Sequence, residues 1–496
     1  MIMPSVLEAS FAMRFRRGRR HDNNGRKPAY GGIRHAICWT DPCCGDVEAH
    51  EVGDPQVLHR VCGLPVIDHV ISNLEKAGCD RIATVVGHMG DLVSEHISKR
   101  SEIFWQHERL GTGHAVMQAK GLLDTYDGTI LVIPGDAPAT RPETIKRMIE
   151  HHESTGAAAT VLTMRLEDPA HYGRIVRDAF GDFTAIVEFK DASEEIRQID
   201  EVSTGIMAFD SAKLADALKY IGNENAQGEY YLTDALMILY QAGHGIQAEV
   251  LDDEDEGIGI NSRKDLAYAE KVLGTRKLDE IMASGVTVIS PETTFIDFDV
   301  AVGQDSVIHP FSVLTGRTVV GRRCIIGPHT TLSSATVEDG AEVCHSYVTD
   351  CTVGQDCKVG PFAYLRPGTR LMKGAKAGSF VEIKNSVVGE GSKVPHLSYV
   401  GDADIGSGVN IGCGTVFCNY DGFRKYRTTI EDDAFVGSNT NLVAPVKVGK
   451  GSYIATGSTI TADVPEGALA VARARQENKE GWVERKKRQM KAEKEG

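Results

Sequence analysis

From about Val302 to Ile460 a small aliphatic residue returns every six positions, often with glycine directly after it. Val302, Ile308, Leu314, Val320, Ile326 and Leu332 keep this step. So do Val353, Val359, Leu365, Leu371, Ala377 and Ile383 and, later, Ile430, Val436, Leu442, Val448, Ile454 and Ile460. A helix buries positions three and four apart, and a strand buries alternate positions, so neither alone accounts for such a step. A chain that coils with three short strands per turn does, because each strand then sends one residue into a shared core. The pairs Val302-Gly303, Val320-Gly321, Ile326-Gly327, Val353-Gly354, Val359-Gly360 and Val436-Gly437 suit corners where a side chain would crowd. The second half of the chain is therefore predicted to be a parallel β-helix.

A chain of 496 residues exceeds what one core usually serves, so at least two domains are expected. No run of 18 apolar residues offers a membrane span, and no apolar segment before a small-residue cleavage site marks the chain for export. The eleven cysteines lack the paired spacing of a zinc site or a disulfide framework. They read as reduced thiols of a cytoplasmic protein. A net charge of -15 argues against nucleic-acid binding by the body of the chain. Residues 1–36, however, carry eight Arg/Lys against Glu8 and Asp22, a local +6 that leaves -21 for the remainder. Such an arm could bind nucleic acid or an anionic membrane.

Between the arm and the β-helix, apolar strands such as Arg81–Val86 and Thr129–Ile133 alternate with helical segments such as Val66–Lys76 and Pro142–Glu153. That alternation predicts a largely parallel sheet with helices on both faces. Ligands of such sheets sit beyond the carboxyl ends of the strands, and Pro134-Gly135-Asp136 falls at one of them. Ser262–Ala283 reads as a single amphipathic helix joining the two domains.

Leu110-Gly111-Thr112-Gly113-His114-Ala115 is a glycine-rich loop opening a helix, whose backbone amides can approach a base or phosphate. Further on come Gly135-Asp136, Tyr172-Gly173-Arg174-Ile175, Val187-Glu188-Phe189-Lys190-Asp191, Asn225–Tyr231 and Gly259-Ile260-Asn261. The β-helix half carries Tyr364-Leu365-Arg366-Pro367-Gly368, Val381-Glu382-Ile383-Lys384, His396-Leu397-Ser398-Tyr399, Asn410-Ile411-Gly412 and Cys418-Asn419-Tyr420-Asp421-Gly422. In this order, from about Val57 to Trp482, the chain closely resembles a bacterial family. That family is the bifunctional N-acetylglucosamine-1-phosphate uridylyltransferase/glucosamine-1-phosphate acetyltransferases. The resemblance implies a Rossmann-like α/β nucleotidyltransferase with a mostly parallel sheet, followed by a left-handed parallel β-helix of hexapeptide repeats. It divides the chain into an atypical segment 1–56, a uridylyltransferase domain 57–261, a linker helix 262–284, an acetyltransferase domain 285–475 and a tail 476–496.

The implied chemistry has two steps: acetyl transfer from acetyl-CoA to glucosamine 1-phosphate, then Mg²⁺-dependent transfer from UTP giving UDP-N-acetylglucosamine and pyrophosphate. The product serves cell-wall and lipopolysaccharide synthesis, and the implied partners are these small molecules and two further copies in a homotrimer. An attacking ammonium must first lose a proton, and His396 is the candidate base. Arg366, Lys384 and Tyr399 suit the sugar phosphate, a guanidinium holding phosphate oxygens in a fork. By resemblance Asn410 and Asn419 bind the sugar or orient the reacting groups. Ser438, Thr456 and Arg473 match acetyl-CoA positions; Asn419 and Tyr420 are placed there too, with Cys413 where an alanine is usual. The segment Asn419–Thr429 interrupts the six-residue beat, and in the family this loop crosses to a neighbouring subunit.

For the uridylyl half, Asp136 and Asn261 match the magnesium ligands, hard oxygen donors that suit the ion. Gln106, Gly111 and Thr112 match nucleotide contacts, and Gly173, Glu188 and Thr204 match sugar contacts, with Ser203 where asparagine is usual. The front of the chain departs from the family. Its phosphate loop L-A-A-G-x-G-T-R-M is absent, and the later P-K-V-L-H reads Pro55-Gln56-Val57-Leu58-His59. Read one base later, Asp41–Gly45 can encode I-L-A-A-G and His50–Gln56 can encode M-K-S-E-T-P-K, at the family's own spacing. A frameshift before Val57 is the expectation, and the basic arm would then be out-of-frame translation. The chain as written would in that case acetylate well and transfer uridylyl poorly.

Overall fold

The computed structural model describes residues 34–40 and 55–495. Most of the basic arm and the stretch 41–54, on which the frameshift expectation chiefly falls, lie outside the described residues.

The first half is built on one twisted sheet. From one edge its strands run Ile246–Val250, Ala159–Arg165, Glu201–Asp210, Thr129–Pro134, Arg34–Trp39, Cys79–Val86 and Glu102–Trp105. Glu201–Asp210 is antiparallel to both neighbours, and the other pairs along this path are parallel. A hairpin of Arg174–Arg177 and Phe183–Val187 hangs from Glu201–Asp210. The central strands are continuous apolar runs because helices bury both of their faces. Val66–Ala77 and Pro142–Thr155 are two such helices, each ending on a left-handed glycine, Gly78 and Gly156.

The strand Arg34–Trp39 lies ahead of the expected boundary at 57. It lies inside the sheet, pairing in parallel with Cys79–Val86 on one side and Thr129–Pro134 on the other. Those neighbours would otherwise leave two rows of buried backbone groups unpaired, at a cost only another strand can remove. Ala36-Ile37-Cys38 supplies a short apolar run and is fully buried. The fit is imperfect. His35 is buried and stacked on Tyr126 at 3.7 Å, yet its Nδ1 has no hydrogen-bond partner.

The second half coils through three parallel sheets of 11, 10 and 9 strands, and successive strands of each sheet come from successive coils. Every repeat residue from Ile308 to Ile460 in the six-step runs is buried, and Val302 packs partly exposed at the first coil. The gap in the pattern between Leu332 and Val353 is a shortened corner, not a break. Val337, Val343 and Val348 continue the buried column there, with three of the four steps shortened to five. The glycine corners are required: a Cβ on Gly303 would lie 2.7 Å from the backbone of Gly321 in the next coil. The excursion spans residues 419–427, since Thr428–Ile430 already rejoins the third sheet.

Helix Arg263–Ala283 joins the halves, with Ser262 Oγ accepting from Asp265 N at its start. Its buried face carries Ala269, Val272, Leu273, Leu278 and Ile281. Phe298 of the first coil donates its N–H to Cys62 O and meets His69 edge-on at 5.3 Å. The α/β half and the β-helix are thus packed through a common joint. Within the expected tail, Trp482–Glu495 is helical.

Candidate active sites

Beyond the carboxyl ends of the central strands lies a cleft of about 670 Å³. Its wall includes Thr112, Asp136, Gly173, Glu188, Ser203, Thr204 and Asn261 together. Gly135 must be glycine, because a Cβ there would stand 2.8 Å from Trp39 O, whose carbonyl accepts the Gly135 N–H. The next residue, Asp136, has its carbonyl strapped to Ile260 N at 3.0 Å. A Cβ on Gly259 would stand 3.5 Å from Asp136 Oδ2 and 3.6 Å from Asn261 Nδ2, so both side chains border the same glycine. Burial, with Asp265 nearby, pushes the Asp136 carboxyl up to about 6. Glu188 is likewise pushed up by burial, against a hydrogen bond from Thr233 Oγ at 3.2 Å. Ser203 Oγ accepts from Gly205 N at 3.2 Å, so this hydroxyl is partly engaged by its own backbone.

Gln106 and Gly111 are placed differently. Gln106 Nε2 donates to Gly111 O, and the Gln106 side chain borders a second hollow of about 530 Å³ with Trp105, His107 and Arg109. Thr112 Oγ accepts from Leu232 N and thereby ties the glycine-rich loop to helix Leu232–Gln241. Gln56 is on the cleft wall, and its buried Nε2 has no partner. Sequence reasoning quoted Tyr172 only within its motif, with no role, and passed over Asp265. The Tyr172 hydroxyl accepts from Gly259 N, and the Asp265 carboxylate accepts from Asn261 N. The available signal for Asp265 was its place four residues after Asn261, just inside a helix start.

On the second sheet of the β-helix, Tyr364, Glu382 and Tyr399 stand on successive coils in register. Arg366 Nη1 donates to Glu382 Oε1 at 2.8 Å. Lys384 occupies the same strand as Glu382, and its hydrogen-bonding contact and then its charge push the neighbouring Lys425 ammonium downward. Tyr399 Oη is 3.5 Å from Asn419 Nδ2, which also donates to Asp402 Oδ2 at 2.5 Å. Arg366, Lys384, Tyr399 and Asn419 thus belong to one patch, to which the structure adds Glu382, Asp402 and Lys425.

His396 lies on the adjoining corner, three positions before Tyr399, exposed and with no hydrogen bond on its ring. The same corner on later coils carries Cys413, Ser438 and Thr456. Its backbone rungs run from Gly414 N to Leu397 O, Asn439 N to Cys413 O and Gly457 N to Ser438 O. Arg473 follows, its Cδ 3.8 Å from a Cβ placed on Gly457. Asn410 stands on the first sheet, opposite Lys393 and Phe435. The excursion is internally braced by a Tyr420–Lys425 bridge and by Tyr420 Oη donating to Gly422 O.

This arrangement is that of a nucleotidyltransferase sheet joined to a hexapeptide-repeat transferase. Residues 50–257 match the nucleotidyl transferase family, and residues 299–334 and 427–462 match the bacterial transferase hexapeptide family of six repeats. The bifunctional protein GlmU of Geobacillus sp. (strain WCH70) is 48% identical over 430 residues, 87% of this chain and 94% of that protein. Bifunctional protein GlmU of Heliobacterium modesticaldum is 50% identical over 432 residues, with 87% and 94% covered. That of Carboxydothermus hydrogenoformans is 48% identical over 429 residues, with 86% and 96% covered. The chain belongs to the GlmU family of bifunctional enzymes and carries both transferase modules.

Proposed function

We propose that the β-helix half acetylates glucosamine 1-phosphate from acetyl-CoA, and that the α/β half transfers uridylyl from UTP to the product. The observation that carries the first step is the patch of Arg366, Lys384, Tyr399 and Asn419, with the exposed, unbonded His396 imidazole three positions before Tyr399. In this reading Arg366, Lys384 and Tyr399 hold the sugar phosphate, while Asn410 and Asn419 hold the sugar. His396 takes the ammonium proton, the freed amine attacks the thioester carbonyl, and the C–S bond breaks to release coenzyme A as a thiolate that His396 protonates. Cys413, Tyr420, Ser438, Thr456 and Arg473 line the acetyl-CoA side. His396→Ala in an acetyl-transfer assay tests this reading. Unchanged turnover at saturating substrates would remove His396 from the role.

For the second step, Asp136 and Asn261 are the oxygen donors assigned to Mg²⁺. Both line the same cleft wall, and a carboxylate with an amide oxygen is a hard donor set, so the pair would suit this ion. When bound, the ion offsets charge on the converging phosphates. Thr112 faces the nucleotide from the cleft wall, with Gln106 bracing its loop from behind through the hydrogen bond to Gly111 O, and Gly173, Glu188, Ser203 and Thr204 face the sugar. Gln56 favours a second reading, in which the chain as written transfers uridylyl poorly. It presents a neutral amide on the cleft wall where the family's lysine would present a cation. Pyrophosphate release from UTP and N-acetylglucosamine 1-phosphate separates the two readings.

The assembly we propose is a homotrimer through the β-helix. One edge of the prism exposes a continuous ring stack, Phe311, His329, His345, Phe362 and Phe380, at spacings of 4.7, 5.5, 5.6 and 5.3 Å. Exposed rings in such a row are the surface a second copy would cover. Cytoplasmic residence is proposed on the chemistry of these substrates. Among the described residues no helix is long and apolar enough to cross a membrane.

A further inference from the structure

We infer that Asp402 is a positioning residue of the acetyl-transfer site: it fixes which face of the Asn419 amide meets the substrate. This rests on the reading above that Asn419 touches the sugar. Asp402 and Asn419 are 8% and 7% exposed, so neither can exchange its partner for water at low cost. Asp402 is held from both sides, its N–H donating to Lys384 O at 3.0 Å and its carbonyl accepting from Thr428 N at 3.1 Å. It adopts a left-handed backbone with φ +51°, a conformation that aspartate and asparagine tolerate better than most residues.

The carboxylate is thereby delivered to two amides. Oδ1 accepts from Asn385 Nδ2 at 2.6 Å and Oδ2 from Asn419 Nδ2 at 2.5 Å. An ionised carboxylate only accepts. It therefore forces the NH₂ of Asn419 inward and its Oδ1 outward, as a fixed acceptor for an N–H or O–H of the amino sugar. Gly401 makes the arrangement possible. A Cβ there would stand 2.5 Å from Tyr399 Oη and 2.6 Å from Asn419 Nδ2. Burial pushes the Asp402 carboxyl up, but the amides of Asn385 and Asn419, with Lys384 and Lys425, outweigh it and hold the group ionised. A bland anchor for the base of the excursion would need the hydrogen bonds but not their polarity.

The test separates polarity from anchoring. Asp402→Asn keeps size and backbone tolerance but can donate, so the Asn419 amide is free to flip. Acetyl transfer in the full chain is expected to fall about 10- to 100-fold, the usual weight of a hydrogen bond to a charged group. The loss should appear in kcat/KM for glucosamine 1-phosphate, with KM for acetyl-CoA and the unfolding midpoint little changed. The swap Asp402→Asn with Asn419→Asp restores a donor–acceptor pair but turns a carboxylate toward the substrate. It should regain thermal stability without activity. Asn419→Ala distinguishes the two failures. If it leaves acetyl transfer intact, the reading of the site is wrong. If it impairs transfer while Asp402→Asn does not, or if the swap restores activity, Asp402 is only an anchor and the inference falls.

Discussion

At the scale of single residues, burial decides chemistry in both halves. His396 is exposed, and its ring makes no hydrogen bond, as the proposed base role requires. His396→Ala should lower acetyl transfer by roughly 10²-fold with little change in acetyl-CoA affinity, read from initial rates and binding isotherms. His152 is the opposite case. It is buried on helix Pro142–Thr155 with Nδ1 against Thr160 Oγ at 3.0 Å, and burial pushes it down to about 4. The unfolded chain takes up a proton near pH 6.5, whereas the folded ring refuses one until about 4. Stability is therefore whole above pH 6.5 and is lost as pH falls through that window, by about 3 kcal/mol at its lower end. His152→Gln keeps a partner for Thr160 without titrating. Urea unfolding of this half should be less acid-sensitive in the variant, and equal sensitivity would place the loss elsewhere.

At the scale of elements, how much could be read from the chain depended on whether a pattern repeats. The β-helix was legible because one buried residue recurs in every strand, and even the shortened corners after Leu332 merely change six to five. The helix Arg263–Ala283 was legible from its spacing and its Ser262 start. The strand Arg34–Trp39 was not. Ala36-Ile37-Cys38 is too short to stand out among arginines, and only the two flanking strands show that a strand belongs there. In the sites, the motifs point to residues that share the cleft wall, such as Asp136, Glu188 and Asn261, whereas Asp402 and Asp265 bond to other side chains or their backbone and carry no pattern of their own. The repeat also sets the cost of a core change. Phe417, fully buried between coils, should cost about 3–5 kcal/mol when cut to alanine. Because each coil touches only its neighbours, the damage should stay in the β-helix. Hydrogen exchange should rise around residues 400–440 and not in the α/β sheet.

At the scale of the molecule, the two activities should come apart. The acetyl-site residues all lie after position 360, far in sequence from the irregular front, whereas the uridylyl cleft has Gln56 on its wall. Restoring I-L-A-A-G-x-G-T-R-M and lysine at position 56 should raise pyrophosphate release by at least ~10³-fold, with acetyl transfer unaltered. Equal uridylyl rates before and after would show that the loop is dispensable. Residues 285–496, weighed in solution, should run as a trimer, and a monomer with full acetyltransferase activity would overturn the shared-site reading. The front of the gene bears directly on this: if no reading frame upstream of codon 57 encodes the loop, the frameshift account is dead.

The β-helix also limits how such a protein can change in length. Its sheets bond each coil only to the one before and the one after, and from Val302 to Val320 one coil takes 18 residues. Length therefore comes in whole steps. Duplicating residues 303–320 would lift the nucleotidyltransferase half by about 4.8 Å, one strand spacing, and leave every downstream contact in place. Removing one residue from a strand of that coil would instead turn its buried position outward, whereas a corner can lose one, as the five-residue steps after Leu332 show. Homologues of this enzyme should differ in the number of coils while rarely tolerating a fraction of one.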